Sequence, residues 1–312
     1  MTLHVIDIEG PIHRLPFTVE PSGRRVASKE VPERVERIRD GLLAGGAVPV
    51  TDPAVRPRDA ERLVAAVHDW TYLKYLRTAP EPGPDDPLDD SFAAPGLRQD
   101  TPVTRGTWPA ALAAAAAAAS AAEFTLATGG HSYALVRPPG HHAGRAWHGG
   151  YCFVNNAVLA AHVLLAGGLR RIAILDLDYH LGNGTRDLVT GQPRVTFASV
   201  HSTNPIDFPY HFPDDAGLFG IATDPRPEDF ITLVSAALAH VRAARPRALV
   251  VSLGYDVLAN DPHGSWSLPV EVFAQVGALL AGQGLPVIFI QEGGYGLPSL
   301  QPAARALALE FL

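Results

Sequence analysis

A chain of 312 residues with 47% hydrophobic and 18% charged residues can bury a sizeable core, which excludes global disorder. A net charge of −7 with no polybasic run argues against nucleic acid or an anionic membrane surface as a partner. The single cysteine, Cys152, excludes an intramolecular disulfide.

Met1 to Arg14 carries Asp7 and Glu9 and has no apolar h-region, so no signal peptide is expected. His4–Ile8 reads as the first strand. Val35, Ile38 and Leu42 recur on one face before Gly45-Gly46, which predicts a helix opening near Val31. Thr78 to Thr104 is rich in Pro, Asp and Gly and reads as one long surface loop rather than a domain boundary. Residues 108–123 predict an alanine-dominated helix packed closely on a sheet. The apolar stretch Pro109 to Ala122 falls short of the ~20 residues that span a bilayer. Further strands are expected at Tyr133–Val136, Arg171–Leu175, Val195–Val200, Ala248–Leu253 and Pro286–Ile290, and helices at Asn155–Ala166 and Asp229–Arg245. Strands alternating with helices predict an α/β protein: a single-domain, open, mostly parallel sheet with helices on both faces over residues 1–312. A soluble cytoplasmic protein is expected.

Such sheets bind ligands at the carboxyl ends of their strands. The polar clusters fall there. Arg137-Pro-Pro-Gly-His-His142 follows one predicted strand, and Asp176-Leu-Asp-Tyr-His180 the next. His201, Gly254-Tyr-Asp256 and Glu292-Gly-Gly-Tyr295 follow three others. Asp178 and His180, two apart in an extended segment, point to one side and suit a metal, with Asp256 as third ligand. Alone, the pair reads as a strand-end cap and a surface histidine; Asp256 and the tandem histidines reverse that reading. His141-His142 are ligands, a general acid–base pair, or inert residues of a turn. Tyr295, beside glycines, is either an oxyanion donor or a core phenol. Cys152 sits in an apolar stretch and reads as a packing residue. There is no Gly-x-Ser-x-Gly elbow and no phosphate-binding glycine motif, which disfavours serine hydrolase chemistry and nucleotide binding.

Taken in order, Arg137–Ala143, Gly150-Tyr-Cys-Phe-Val-Asn-Asn156, Asp176–Thr185, Ser199-Val-His201, Gly254-Tyr-Asp256 and Glu292-Gly-Gly-Tyr295 resemble the zinc-dependent histone deacetylase and acetylpolyamine amidohydrolase superfamily. Pro32–Ile38, His68–Leu73 and Asp100–Pro102 extend the likeness over nearly the whole chain. Asp261-Pro262 and the Glu292-Gly-Gly-Tyr295 form look more like the acetylpolyamine branch.

The resemblance implies the arginase–deacetylase fold and one Zn²⁺ held by Asp178, His180 and Asp256. It implies that His142 is the general base and then acid, oriented by Asn183 where many relatives carry Asp. His141 is its partner, oriented by Asp176, and Tyr295 donates to the oxyanion. A structural potassium ion is implied at Asp176, Ser199 and the carbonyls of Asp178, His180 and Val200. Tyr151 and Phe208 match the walls of an acyl channel beside Gly150. Asp100 matches a rim residue that grips substrate, although it also reads as a loop carboxylate. Pro209 to Asp224 departs from the family pattern, and the modest 78–104 loop leaves the oligomeric state open.

The resemblance thus implies hydrolysis of a small acetylated amine such as an acetylpolyamine. The alternatives are an acetyl-lysine protein deacetylase and a non-catalytic binding protein with the same fold. An arginase-like ureohydrolase needs more Asp-x-His pairs than this chain has.

Overall fold

The computed structural model describes residues 1–312 except 9, 11, 12 and 84. Glu9, used above in reading the N-terminus, lies outside the described residues.

In chain order the elements are β1 (Leu3–Asp7), β2 (Thr18–Val19), β3 (Arg25–Val26), α1 (Glu33–Ala44), β4 (Val48–Pro49), α2 (Pro57–Val67), α3 (Trp70–Thr78) and α4 (Thr107–Thr128). There follow β5 (His131–Leu135), α5 (Asn156–Ala166), β6 (Ile172–Asp176), α6 (Asn183–Val189), β7 (Val195–Ser202) and β8 (Leu218–Ile221). The chain closes with α7 (Pro227–Ala243), β9 (Ala248–Leu253), α8 (Val272–Ala281), β10 (Val287–Gln291) and α9 (Leu297–Leu309).

Eight strands form one parallel sheet in the order β4-β1-β5-β10-β9-β6-β7-β8, and β2 pairs with β3 as a small antiparallel ribbon. The central strands are buried on both faces, so they read as apolar runs rather than alternating ones. Their side chains still divide with period two. Tyr133, Leu175, Val251 and Phe289 join one core with α1, α7, α8 and α9. Ala134, Ile174, Val250 and Ile288 join the other with α2, α4 and α5.

All six expected strands are present, shifted by at most two residues at either end. The helix expected at Asp229–Arg245 begins earlier, at Pro227, whose fixed φ and missing N–H suit a first helical position.

The alanine helix requires a correction. α4 runs 22 residues and is long and apolar enough, by length and composition, to cross a bilayer. It is instead an interior helix, with 78% of its most apolar window buried against its neighbours. Its small side chains let α2, α5 and β5 approach closely on several sides.

The 78–104 segment, of which residue 84 lies outside the described residues, is a largely exposed loop as expected, tied down beside His148. Ala93 bridges to His148, and the His148 N–H donates to the Phe92 carbonyl at 3.0 Å. The departing segment after Phe208 leads into β8, which adds a parallel edge strand beside β7.

Candidate active site

Four neighbouring strands, β5, β10, β9 and β6, end at the same sheet edge and deliver the polar clusters there. Asp176 is the last residue of β6. The chain then turns so that Asp178 and His180 face Asp256, three residues past the end of β9. One ligand atom from each of Asp178, His180 and Asp256 lies within 4.8 Å of the others. His180 Nδ1 is 3.2 Å from Asp178 Oδ1 and 3.1 Å from Asp256 Oδ2. The remaining carboxylate oxygens are fixed by backbone. Asp178 Oδ2 accepts from Gly293 N–H at 2.8 Å, and Asp256 Oδ1 from Tyr179 N–H at 3.1 Å. A Cβ on Gly254 or Gly293 would collide with both carboxylates, so glycine at these positions makes room for the cluster.

Two buried carboxylates and an imidazole converging on one point fit a divalent cation with an open position. The electrostatics agree. Burial opposes charge on His180, but its bonds to Asp178 and Asp256 outweigh that and raise it to about 10. Burial and the nearby Asp178 charge push Asp256 up to about 7. The cluster therefore favours positive charge, which a proton or a metal ion can supply.

The tandem histidines come off β5 through Pro138, Pro139 and Gly140. Glu292, at the end of β10, accepts from the Gly140 and His141 N–H groups at 2.7 and 3.0 Å and from the Ser252 hydroxyl at 3.1 Å. His141 Nδ1 lies 3.1 Å from Asp176 Oδ2. His142 Nδ1 lies 2.8 Å from Asn183 Oδ1. An amide oxygen only accepts, so His142 carries its proton on Nδ1 and leaves Nε2 free to take another. Burial, then the adjacent His141 and His180, holds the His142 imidazole well below its ordinary value.

His141, His142, Asp178 and His180 line a cavity of about 250 Å³ with Tyr151, Phe208 and Tyr295. Phe208 meets the His142 ring edge-on at 4.6 Å, and Tyr151 and Tyr295 stand 5.5 Å apart. Burial raises the Tyr295 phenol well above its ordinary value, so it stays a donor at neutral pH. Gly150 has φ 53°, and a Cβ there would collide with His142. Asp100 also lines the cavity, but its carboxylate accepts from the Gly150 N–H at 3.0 and 3.1 Å and from the Thr101 hydroxyl at 2.9 Å. It therefore holds the Gly150–Tyr151 turn.

Asp176 and Ser199 face each other in register across β6 and β7, and Val200 follows in β7. The Ser199 hydroxyl lies 3.0 Å from His201 Nδ1. Cys152 is fully buried, and burial raises its thiol well above the ordinary range, as a packing residue requires.

Sequence reasoning missed three residues that shape the site. Arg34 of α1 donates to the Gly294 and Glu292 carbonyls at 2.5 and 2.6 Å and stacks over the Tyr295 ring at 4.4 Å. Glu292 stands in the sequence only as part of a motif, and its carboxylate anchors the histidine turn. His263 lines the cavity beside Tyr151 and Tyr295. The one signal for His263 was its place after Asp261-Pro262.

The histone deacetylase domain family matches residues 28–311. The acetylpolyamine amidohydrolase of Burkholderia pseudomallei is 34% identical over 93% of this chain and 93% of its own length. Acetylpolyamine amidohydrolase 1 of Pseudomonas aeruginosa is 32% identical over 92% and 93%. The crystal structure of the acetylpolyamine aminohydrolase from Burkholderia pseudomallei superposes with a TM-score of 0.82 at 29% identity, covering 100% of this chain and 98% of that one.

Proposed function

The chain belongs to the histone deacetylase domain family, and from that premise we propose that it is a zinc-dependent amidohydrolase removing an acetyl group from an N-acetylated polyamine. The observation that carries this reading is one cavity lined by Asp178, His180, His142 and Tyr295, with Asp256 completing the cluster of Asp178 and His180 and Asn183 bonded to His142. The full-length likeness to acetylpolyamine amidohydrolases favours a small acetylated amine over a protein. So do the carboxylates of Asp100 and Asp207 lining the cavity, which suit a cationic chain. The reading takes residues 1–312 as one deacetylase domain.

Zinc at Asp178, His180 and Asp256 supplies, when bound, a Lewis acid that polarises the amide carbonyl and makes water easier to deprotonate. His142 Nε2 takes a proton from the attacking water and delivers it to the departing amine nitrogen. Asn183 keeps the Nδ1–H tautomer that this requires. The Tyr295 phenol donates to the oxygen that gains charge as the amide carbon becomes tetrahedral. His141, bonded to Asp176, stacks against His142 with ring centroids 4.0 Å apart. Tyr151 and Phe208 exclude water from the acyl end. On the same reading Asp176, Ser199 and the Val200 carbonyl hold a structural potassium ion.

The test is metal content together with kcat/KM for a monoacetylated diamine, an acetyl-lysine peptide and a neutral N-alkylacetamide of matched length. One zinc per chain and preference for the acetylated diamine, weakening at high salt, are expected. Equal rates on the charged and neutral amides at low salt would overturn the substrate class. A marked preference for the peptide would move the function to protein deacetylation.

A further inference from the structure

His263 takes no part in the steps above, yet it touches two residues that do. Its Nε2 lies 3.0 Å from the Tyr151 phenol oxygen. Its ring meets Tyr151 edge-on at 5.5 Å and Tyr295 edge-on at 4.8 Å. Its backbone is fixed as well. Asp261 Oδ1 accepts from the His263 N–H at 2.9 Å, while Oδ2 accepts from the Tyr295 and Gly296 N–H groups at 2.6 and 2.9 Å. One carboxylate thus sets the backbone of His263 and of Tyr295, and the imidazole reaches from there to Tyr151.

A phenol is the stronger donor of this pair and an imidazole nitrogen the stronger acceptor, so the Tyr151 O–H donates to Nε2 and His263 carries its own proton on Nδ1. Burial above all pushes the imidazole down to about 3, which keeps it neutral and able to accept. Tyr151 needs an external hold. Its φ is 68°, in the left-handed region that a bulky residue enters only under constraint. Asp100 fixes the start of this turn, and a contact at the phenol end fixes the ring.

We infer that His263 is a positioning residue that accepts the Tyr151 phenol proton and packs against Tyr295, setting the channel wall and the oxyanion donor in one frame. The inference rests on the deacetylase reading for its kinetic arm only.

The experiment is a double-mutant cycle with an imidazole ¹⁵N spectrum. A hydrogen bond of this kind contributes about 0.5–1.5 kcal/mol, so His263→Leu and Tyr151→Phe should each lower kcat/KM about 3- to 10-fold. The double variant should lose no more than His263→Leu alone. His263→Leu should raise KM through Tyr151 and lower kcat through Tyr295, whereas Tyr151→Phe acts on KM. His263→Gln, which keeps an acceptor, should recover most of the loss. In the spectrum, the His263 resonances are those absent from the His263→Gln variant. They should report the Nδ1–H tautomer, and Tyr151→Phe should shift Nε2.

Multiplicative losses in the cycle, or an Nε2 resonance indifferent to Tyr151→Phe, overturn the inference. If His263→Leu does not fold, His263→Gln and the spectrum decide. A wild-type enzyme inactive on every acetamide overturns the proposed function instead, and the spectrum still judges the link between His263 and Tyr151.

Discussion

The amide oxygen of Asn183 stands 2.8 Å from Nδ1 of His142, at the first residue of α6. The bond selects a tautomer without adding a negative charge beside the ring. Asn183→Leu should therefore keep the metal and the fold but lower kcat about 10- to 100-fold, the cost of one unsatisfied buried donor expressed in the barrier. Single-turnover rates at full metal occupancy test this. An unchanged rate would remove Asn183 from the mechanism.

Asp256→Ala takes one of three ligands from the cluster and leaves His180 with one carboxylate. Metal and activity should disappear together, because too few donors remain to hold the ion. Metal analysis after dialysis, alongside turnover, checks it. Retention of stoichiometric metal with near-normal turnover would show that the third ligand lies elsewhere.

Tyr295→Phe removes only the phenol oxygen, and the Arg34 guanidinium still has a ring to stack on. We expect a kcat lower by about 10²–10³ with little change in metal content or melting temperature. A kcat within twofold of wild type contradicts the assignment.

Gly150→Ala places a Cβ against the His142 ring at a residue with φ 53°. Overpacking of this kind costs about 1–3 kcal/mol. The expected result is a 10- to 100-fold loss of kcat with metal retained, read from steady-state kinetics and metal analysis. Full activity would mean that the turn relaxes freely.

Stability should fall on the acid side through buried neutral histidines. His68 Nδ1 donates to the Gly144 carbonyl at 2.8 Å, and its Nε2 accepts from the Asn155 N–H at 3.0 Å, a pairing only the neutral ring can make. Burial lowers His68 to about 4 and His148 to about 3. The unfolded chain titrates these groups near 6.5 and so binds more protons than the folded one below that pH. Their contribution is complete above about 6.5 and is lost as pH falls toward 4, by up to about 1.4 kcal/mol per pH unit for each histidine. Denaturant midpoints measured from pH 7.5 to 4 test this, and a flat profile over that range contradicts it.

The strands were legible because a parallel sheet covered on both faces leaves unbroken apolar runs, as Ala248–Leu253 shows with all six residues buried. The convergence of Asp178, His180 and Asp256 was legible because each of their clusters directly follows such a run. Short edge elements left no signal: β4 has two residues and β8 four. α9 was hidden by Pro302 inside it. Arg34 and His263 were illegible for another reason. Arg34 acts on a carbonyl 260 residues away, and His263 on a phenol 112 residues away. Such contacts leave no local pattern; they exist only once the topology is known.

β5, β10, β9 and β6 lie side by side in the sheet but are scattered over more than half of the chain. Asp178 and His180 are local neighbours, but the complete three-residue cluster has no local precursor, since Asp178 and Asp256 meet only when β6 and β9 are paired. Ion affinity is thus a property of the assembled sheet. Any substitution that loosens these strands weakens ion retention, however far it lies from the ligands, and free ion in excess of its Kd pulls a faltering sheet back together. The holoenzyme is in this sense its own folding reporter: the occupancy of one atom records whether the ends of β6 and β9 have found each other.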